Sequence, residues 1–216
     1  MFDEQGENNM KKLIILFLST LIMVCSVSGC HKKDINSDIV KNSILNEENE
    51  HLIGEEVVEE SPNANEIQEY DFDSVMKTTD IVKKIEVDHL KPSSFVEIEI
   101  DDSNESNVPA QIMVNNSVSI LTKKDHKGWT LQKGDVIEYK FEKYESNVVK
   151  NQALLIGCII DGEMKMYEVF DDLNGTYLYE VEENAEYYIY LMSASSDYLS
   201  IKDSQLNILL NEPYVE

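Results

Sequence analysis

"ALLIGCIIDGEMKMYEVF", Ala153 to Phe170, is the stretch that decides the fold class of this chain. It starts with an unbroken apolar run to Ile160 and ends with a strand-like run from Glu163. Between the runs stands the Asp-Gly pair typical of a two-residue type I′ turn, in which both central residues adopt positive φ. The stretch therefore predicts a hairpin whose first strand is central and covered on both faces.

The flanking sequence has the two-residue period of strands. In "FVEIEID" (Phe95 to Asp101) apolar residues alternate with glutamates, and "VIEYKFEK" (Val136 to Lys143) repeats the pattern. Turn residues separate about nine such runs. We therefore predict an all-β fold, an antiparallel β-sandwich of jelly-roll type, over residues 87–216.

The composition limits the kinds of partner. The chain has 216 residues and a formal net charge of −24, and all 18 basic residues are lysine. Affinity for nucleic acid comes largely from basic side chains that displace counterions from phosphate, and arginine adds bidentate contacts. We therefore expect no nucleic acid partner.

The N-terminal region has the order of a secretory signal peptide. Lys11 and Lys12 precede an apolar run, Leu13 to Gly29, which ends in small residues. Acidic residues before Lys11 do not suit a signal peptide, so translation could start at Met1 or at Met10. An uncleaved anchor is the alternative, because 17 residues is at the lower limit for a membrane span.

The apolar run leads into "VSGC", Val27 to Cys30. This motif resembles the lipobox of bacterial lipoproteins. The resemblance implies removal of residues 1–29 and attachment of a diacylglycerol to Cys30, with fatty acids such as palmitate. Several acyl chains on one residue anchor a protein stably. We expect a location on the extracytoplasmic face of the cell membrane, in a Gram-positive bacterium.

The segment after Cys30 is strongly acidic. Eleven acidic residues lie between Glu47 and Asp73, and no lysine lies between Lys41 and Lys77. Such a segment repels itself and has few apolar residues to bury. We therefore predict a disordered, lipid-anchored acidic linker over residues 30–86. Its short apolar clusters, such as "EEVVEE" (Glu55 to Glu60) and "DSVMKTTDIVKKIEV" (Asp73 to Val87), could add a strand or a helical turn.

A second resemblance concerns the folded part. "GWTLQKGD" (Gly128 to Asp135) and "NGTYLYEVEENAEYYIYLMSASSDYLSI" (Asn174 to Ile201) resemble extracellular β-sandwich modules of Gram-positive lipoproteins and of BlaR1-type sensor ectodomains. These motifs are structural, so the resemblance implies a fold and no ligand.

No set of catalytic residues is present in the sequence. The four histidines are scattered, and only His126 lies well inside the predicted domain, beside Asp125 in an expected surface loop. A catalytic base needs an oriented partner and a nucleophile within reach. We expect no enzymatic activity. Cys158 stands alone in an apolar run and is expected to be buried and inert.

Two acidic loops are candidates for calcium. "DDSNE" and "DDLN" offer clustered oxygen ligands, and calcium takes six to eight of them. Asp and Asn are also ordinary turn residues, so turn chemistry is the competing interpretation. The candidate metal ligands are Asp101, Asp102, Asp171 and Asp172.

The tyrosines suggest a ligand face. In "EYYIYL" (Glu186 to Leu191), Tyr188 and Tyr190 fall on one face of the strand and Tyr187 on the other. An exposed pair could stack on a sugar or a peptide, or it could stabilise the sheet through cross-strand pairs.

Together these features predict a non-enzymatic lipoprotein that presents a β-sandwich. Its expected role is to bind an envelope protein or a glycan. The alternative is a regulatory or sensory ectodomain that acts on a membrane peptidase or transporter.

Overall fold

The computed structural model describes residues 41–57, 75–87, 89–101 and 103–211. These residues form fourteen strands and two short 3-10 helices, Glu50–Leu52 and Lys124–His126. The strands are β1 (Ser43–Ile44), β2 (Lys84–Ile85), β3 (Ser94–Glu99), β4 (Glu105–Val108), β5 (Gln111–Met113), β6 (Ser117–Thr122), β7 (Trp129–Leu131), β8 (Val136–Glu142), β9 (Leu154–Ile160), β10 (Glu163–Phe170), β11 (Asn174–Glu180), β12 (Ala185–Ser193), β13 (Leu199–Ile201) and β14 (Ser204–Leu209).

The predicted hairpin is confirmed. β9 and β10 pair antiparallel, and both turn residues have positive φ, 52° at Asp161 and 81° at Gly162. β9 is buried over its whole length and lies between β10 and β12. A strand covered on both faces is expected to read as a continuous apolar run, as this one does.

Two principal sheets face each other. The larger has the order β2-β10-β9-β12-β6-β3, with β7 also paired to β12, and the smaller has the order β11-β8-β14-β4. A third sheet, β1-β5-β13, accompanies them. Most pairs are antiparallel, but β3 with β6 and β10 with β2 are parallel. The all-β sandwich is confirmed, and its two main sheets have the strand order of a jelly roll.

The main core lies between the sheets. The larger sheet contributes residues such as Ile156 and Ile189, and the smaller sheet contributes Ile137, Tyr139 and Tyr177. Each of these side chains is at most 3% exposed. Burying an apolar side chain of this size contributes about 1.5–3 kcal/mol, so the facing strands hold the sheets together without a disulfide.

A second apolar cluster lies on the other face of the larger sheet. The sheet contributes Val118, Ile120 and Tyr190, and residues before β3 pack against them, including Val82 and Leu90. Val82 is 2% exposed. The segment that carries Val82 also forms β2, which extends the sheet beside β10.

A third cluster joins β5 to a segment near the start of the described residues. Leu52 packs with Ile112 and Tyr198. Nearby, the buried Asn42 amide group donates hydrogen bonds to the Ser117 carbonyl oxygen (3.1 Å) and to Ser119 Oγ (3.0 Å). These contacts attach residues 41–57 to β5 and β6.

The structure therefore differs from the expected boundary at residue 87. Residues 41–57 and 75–86, expected in the linker, contribute strands and buried side chains to the sandwich. Their glutamates do not prevent packing: Glu47, Glu48 and Glu50 stay exposed while Leu52 is buried. Residues 30–40 and 58–74 of the expected linker lie outside the described residues.

Candidate functional site

A cleft of about 620 Å³ opens where β3 and β12 meet the loops around them. We call it the β3–β12 cleft. Its walls come from residues 77–83, β3, the loop before β7, the β9–β10 turn and β12. It is lined by Lys77, Thr78, Thr79, Asp80, Ile81, Lys83, Glu97, His126, Asp161, Gly162, Glu186 and Tyr188.

Glu97 links two walls of the cleft. Its Oε2 lies 2.5 Å from Nδ1 of His126, and its Oε1 accepts a hydrogen bond of 3.3 Å from Thr79 Oγ1. The Glu97 side chain is 27% exposed and the His126 side chain 78% exposed. Glu97 therefore presents a carboxylate to solvent in an orientation set by Thr79 and His126.

The loop that carries His126 has an unusual backbone. Asp125 and His126 both have φ of 60°, a left-handed conformation that non-glycine residues adopt rarely. Two hydrogen bonds attach the loop to β12: Tyr188 OH donates to the His126 carbonyl oxygen (3.2 Å), and Gly128 N–H donates to Glu186 Oε1 (2.9 Å). Such strain persists where the surroundings hold it, commonly at functional sites.

The close approach of this loop to β12 depends on Gly128. A Cβ atom at this position would lie 2.4 Å from the Tyr187 carbonyl oxygen. Any other residue would therefore push the loop away from the strand and widen the cleft.

The cleft is polar and negatively charged. Its lining holds four carboxylates and two lysines, so it is net negative when His126 is neutral. The hydrogen bond to Glu97 and the charge of Glu97 raise the pKa of His126 above 6.5, with smaller contributions from Glu99 and Asp125. His126 is therefore more than half protonated at pH 6.5, where it forms an ion pair with Glu97.

The two predicted ligand tyrosines lie in different places. Tyr188 is half-buried in the wall of the cleft. Tyr190 is fully buried in the second cluster, so it is not part of an exposed face. Both faces of β12 are covered because residues before β3 pack on one of them. The alternation along β12 does not reveal that both faces are covered. The sequence feature that indicated it was the pair of apolar residues Ile81 and Val82 in the expected linker.

The acidic loops do not come together as a metal site in the described residues. Asp101, Asp171 and Asp172 are exposed, and Asp102 lies outside the described residues. No group of three or more carboxylate, histidine or cysteine side chains suited to a metal occurs in the described part of the chain. Calcium binding stays a prediction.

Asp171 and Asp172 act instead on a buried amine. Lys143 is 2% exposed, and its Nζ donates hydrogen bonds to the carbonyl oxygens of Gln152 (2.5 Å) and Phe170 (3.0 Å). Burial lowers the pKa of Lys143, while the charges of the two aspartates oppose that shift. These aspartates therefore favour the protonated amine.

The remaining sequence candidates are a cysteine in the core and one near the N-terminus. Cys158 is buried as predicted, and burial raises the pKa of its thiol to about 12. Cys30 lies outside the described residues. No helix in residues 41–57, 75–87, 89–101 or 103–211 is long and apolar enough to cross a membrane.

Sequence reasoning did not find the cleft. In the sequence, Glu97 is one of several glutamates on the predicted solvent-exposed face of a strand, and Thr79 belongs to the expected linker. These residues are 18 positions apart, and His126 is 29 positions from Glu97. No short motif connects them, since they meet only through the fold.

Comparison with known proteins gives little further guidance. No family model and no curated protein matches the sequence. Among solved structures, the CBM22-1 xylan-binding domain of Paenibacillus barcinonensis Xyn10C is 14% identical with a TM-score of 0.28, over 37% of this chain and 59% of that domain. A β-glucosidase from Paenibacillus barengoltzii is 11% identical with a TM-score of 0.26, over 53% of this chain and 11% of the enzyme. The chain spans less than two thirds of either structure, and at these scores neither similarity carries an argument about function.

Proposed function

We propose that this protein is a non-catalytic lipoprotein whose β-sandwich binds a hydroxyl-rich glycan of the cell envelope in the β3–β12 cleft. Lipidated Cys30 attaches it to the extracytoplasmic face of the membrane. The observation that carries the proposal is the cleft itself, with its polar lining and its walls joined through Glu97.

The size and chemistry of the cleft support this ligand class. Ligand sites commonly measure roughly 300–1,000 Å³, and most are lined by apolar side chains. This one is lined mainly by hydroxyl, carboxylate and amine groups. Such a surface suits a ligand that exchanges many hydrogen bonds, as a sugar does, better than an apolar molecule.

Tyr188 supplies the aromatic surface that a sugar ring needs. It is half-buried in the cleft wall, and its hydroxyl is bonded to the His126 carbonyl oxygen. An aromatic side chain held in one orientation loses little conformational entropy when a ligand packs on it.

The first test is retention of envelope polysaccharide by the cleft. Tyr188→Ala is expected to weaken binding of purified wall glycans about tenfold, because an aromatic contact and a wall hydrogen bond are lost together. Binding is measured by affinity electrophoresis or calorimetry with the full chain in detergent micelles.

Tyr144→Ala is the matched control. Tyr144 is also half-buried, but it lies two residues after the end of β8, with the Lys202 amine over its ring. This variant should bind glycans like the unmodified protein. If Tyr188→Ala bound glycans as tightly as the unmodified protein, the cleft would not be the binding site. Capture of a membrane peptidase or transporter without any glycan would favour the alternative function, a regulatory ectodomain.

The second test concerns the anchor. Cells fed an alkyne analogue of palmitate should label the protein, and its mature form should begin at Cys30. Cys30→Ala is expected to abolish the label, whereas Cys25→Ala should leave it, because Cys25 lies inside the segment that is removed. Labelling that survives Cys30→Ala would contradict lipidation at this residue.

A further inference from the structure

Each carboxylate oxygen of Glu97 has a different partner. Its Oε2 is engaged by Nδ1 of His126 at 2.5 Å, and its Oε1 accepts from the Thr79 hydroxyl. The histidine is the more exposed partner, at 78%. An exposed partner can swing into solvent at little cost, which would leave Oε2 open to the cleft while Thr79 still holds Oε1.

The surroundings of Glu97 favour a cationic replacement for His126. The cleft lining contains Asp80, Asp161 and Glu186 besides Glu97, against Lys77 and Lys83. The whole chain carries a formal charge of −24. A positively charged group entering the cleft is therefore attracted, and an anionic group is repelled.

We infer that the glycan bound in the β3–β12 cleft carries an amine, that this ammonium group pairs with Glu97, and that protonated His126 competes with it for the same carboxylate. The inference rests on the proposed function and defines the ligand class of that site. His126 is then a built-in competitor that makes binding depend on pH.

The carboxylates around His126 favour its protonated form. β3 presents Glu97 and Glu99, and Asp125 lies beside His126 in the loop; all three raise the pKa of His126 above 6.5. The loop also carries Lys123, Lys124 and Lys127, and β12 contributes Glu186 and Tyr188 to the adjacent cleft wall. The cleft lining also contains two lysines and two aspartates, Lys77, Lys83, Asp80 and Asp161.

The sign of the pH dependence follows. Below the raised pKa, His126 is charged and occupies Glu97. As the pH rises through that pKa, the histidine loses its charge and the cleft becomes more negative. An amine that stays protonated throughout should therefore bind more tightly at high pH, by about 1.5-fold to fivefold, the range expected for one exposed ion pair.

Two matched probes separate this inference from the proposed function. One is an oligosaccharide with a 2-aminoethyl group at its reducing end, and the other is the same oligosaccharide with a neutral ethyl group. Calorimetry with the full chain in micelles at pH 5.5 and 8.5 is expected to show tighter binding of the aminated probe at pH 8.5. Binding of the neutral probe should be equal at both values.

Variants assign the effect to the pair. His126→Gln should make binding of the aminated probe independent of pH, and Glu97→Gln should abolish its advantage over the neutral probe. Glu142→Gln removes the same charge from the smaller sheet, where Glu142 pairs with Lys202, and should change neither result. By reciprocal linkage, the aminated probe should lower the pKa of His126 followed by NMR.

Each result has a distinct meaning. Equal binding of both probes at both pH values would overturn the inference and leave the glycan site in place. If neither probe bound, the result would overturn both the inference and the proposal that the cleft binds a glycan of this kind. Unchanged pH dependence in His126→Gln would show that another group titrates.

Discussion

A chain truncated to residues 87–216 is expected to lose more than about 5 kcal/mol of unfolding free energy, which is comparable with the whole stability of many domains. The truncation removes Leu52 and Val82, whose burial contributes roughly 1.5–3 kcal/mol each. It also uncovers the second cluster, including the fully buried Tyr190, on the face of the larger sheet. Urea unfolding and binding of a hydrophobic dye measure the loss.

Removal of residues 1–36 alone is the matched control. This deletion removes none of the described residues, which begin at residue 41. A chain from Ser37 to Glu216 keeps Asn42 and its hydrogen bonds to β6 and to Val114, the residue after β5, so it should unfold cooperatively. Equal stability of the two truncated chains would show that residues 41–57 and 75–86 do not stabilise the sandwich.

The second large effect is a steep loss of stability at alkaline pH. Burial raises the pKa of Tyr139, Tyr177 and Tyr190 above the ordinary 10.0, and it raises the pKa of Cys158 to about 12 from 9.0. The unfolded chain releases these four protons near the ordinary values, while the folded chain keeps them. The stabilisation contributed by these four groups is therefore fully present below pH 9 and decreases above it. With all four groups contributing, the slope approaches about 5 kcal/mol per pH unit.

Lys143 acts in the opposite direction. Burial lowers its pKa, so between the lowered value and the ordinary 10.5 the unfolded chain holds more protons than the folded chain. Its contribution to stability therefore rises with pH in that window and offsets one of the four falling contributions.

Denaturant unfolding at pH 8, 9, 10 and 11 measures the net effect. Tyr190→Phe is a useful comparison because the Tyr190 hydroxyl is buried without a hydrogen-bond partner among the described residues. This variant should match or slightly exceed the parent protein at pH 8, since no hydrogen bond is lost. Its alkaline slope should be smaller by about 1.4 kcal/mol per pH unit. A parent protein equally stable at pH 8 and pH 11 would contradict the burial of these groups.

The local sequence determined most of the sandwich. The apolar run ending at Ile160 and the Asp-Gly turn after it predicted a central strand and its hairpin, and both are present. Alternation at Phe95 to Asp101 and at Val136 to Lys143 predicted β3 and β8. These features could be predicted because strand period and turn backbone are properties of a few adjacent residues.

The extent of the folded unit depends on contacts between residues far apart in the chain, and the local sequence does not show these contacts. Charge density suggested a linker, but packing is decided by a few well-placed residues such as Asn42, Leu52 and Val82. Their partners lie far along the chain, at β5, β6 and β12. The same segments cover Tyr190. This tyrosine, which the sequence predicted as a ligand residue, is therefore part of the core.

By itself, then, the sequence determined the fold class, the central hairpin and the acidic character of the protein, because composition, strand period and turn chemistry are local. Only the tertiary structure decided where the sandwich begins and which side chains form the cleft. Thr79, Glu97 and His126 belong to three separate segments, and hydrogen bonds between distant residues bring them together. A site of this kind has no sequence motif because its geometry arises from the packing of the sheet and its loops.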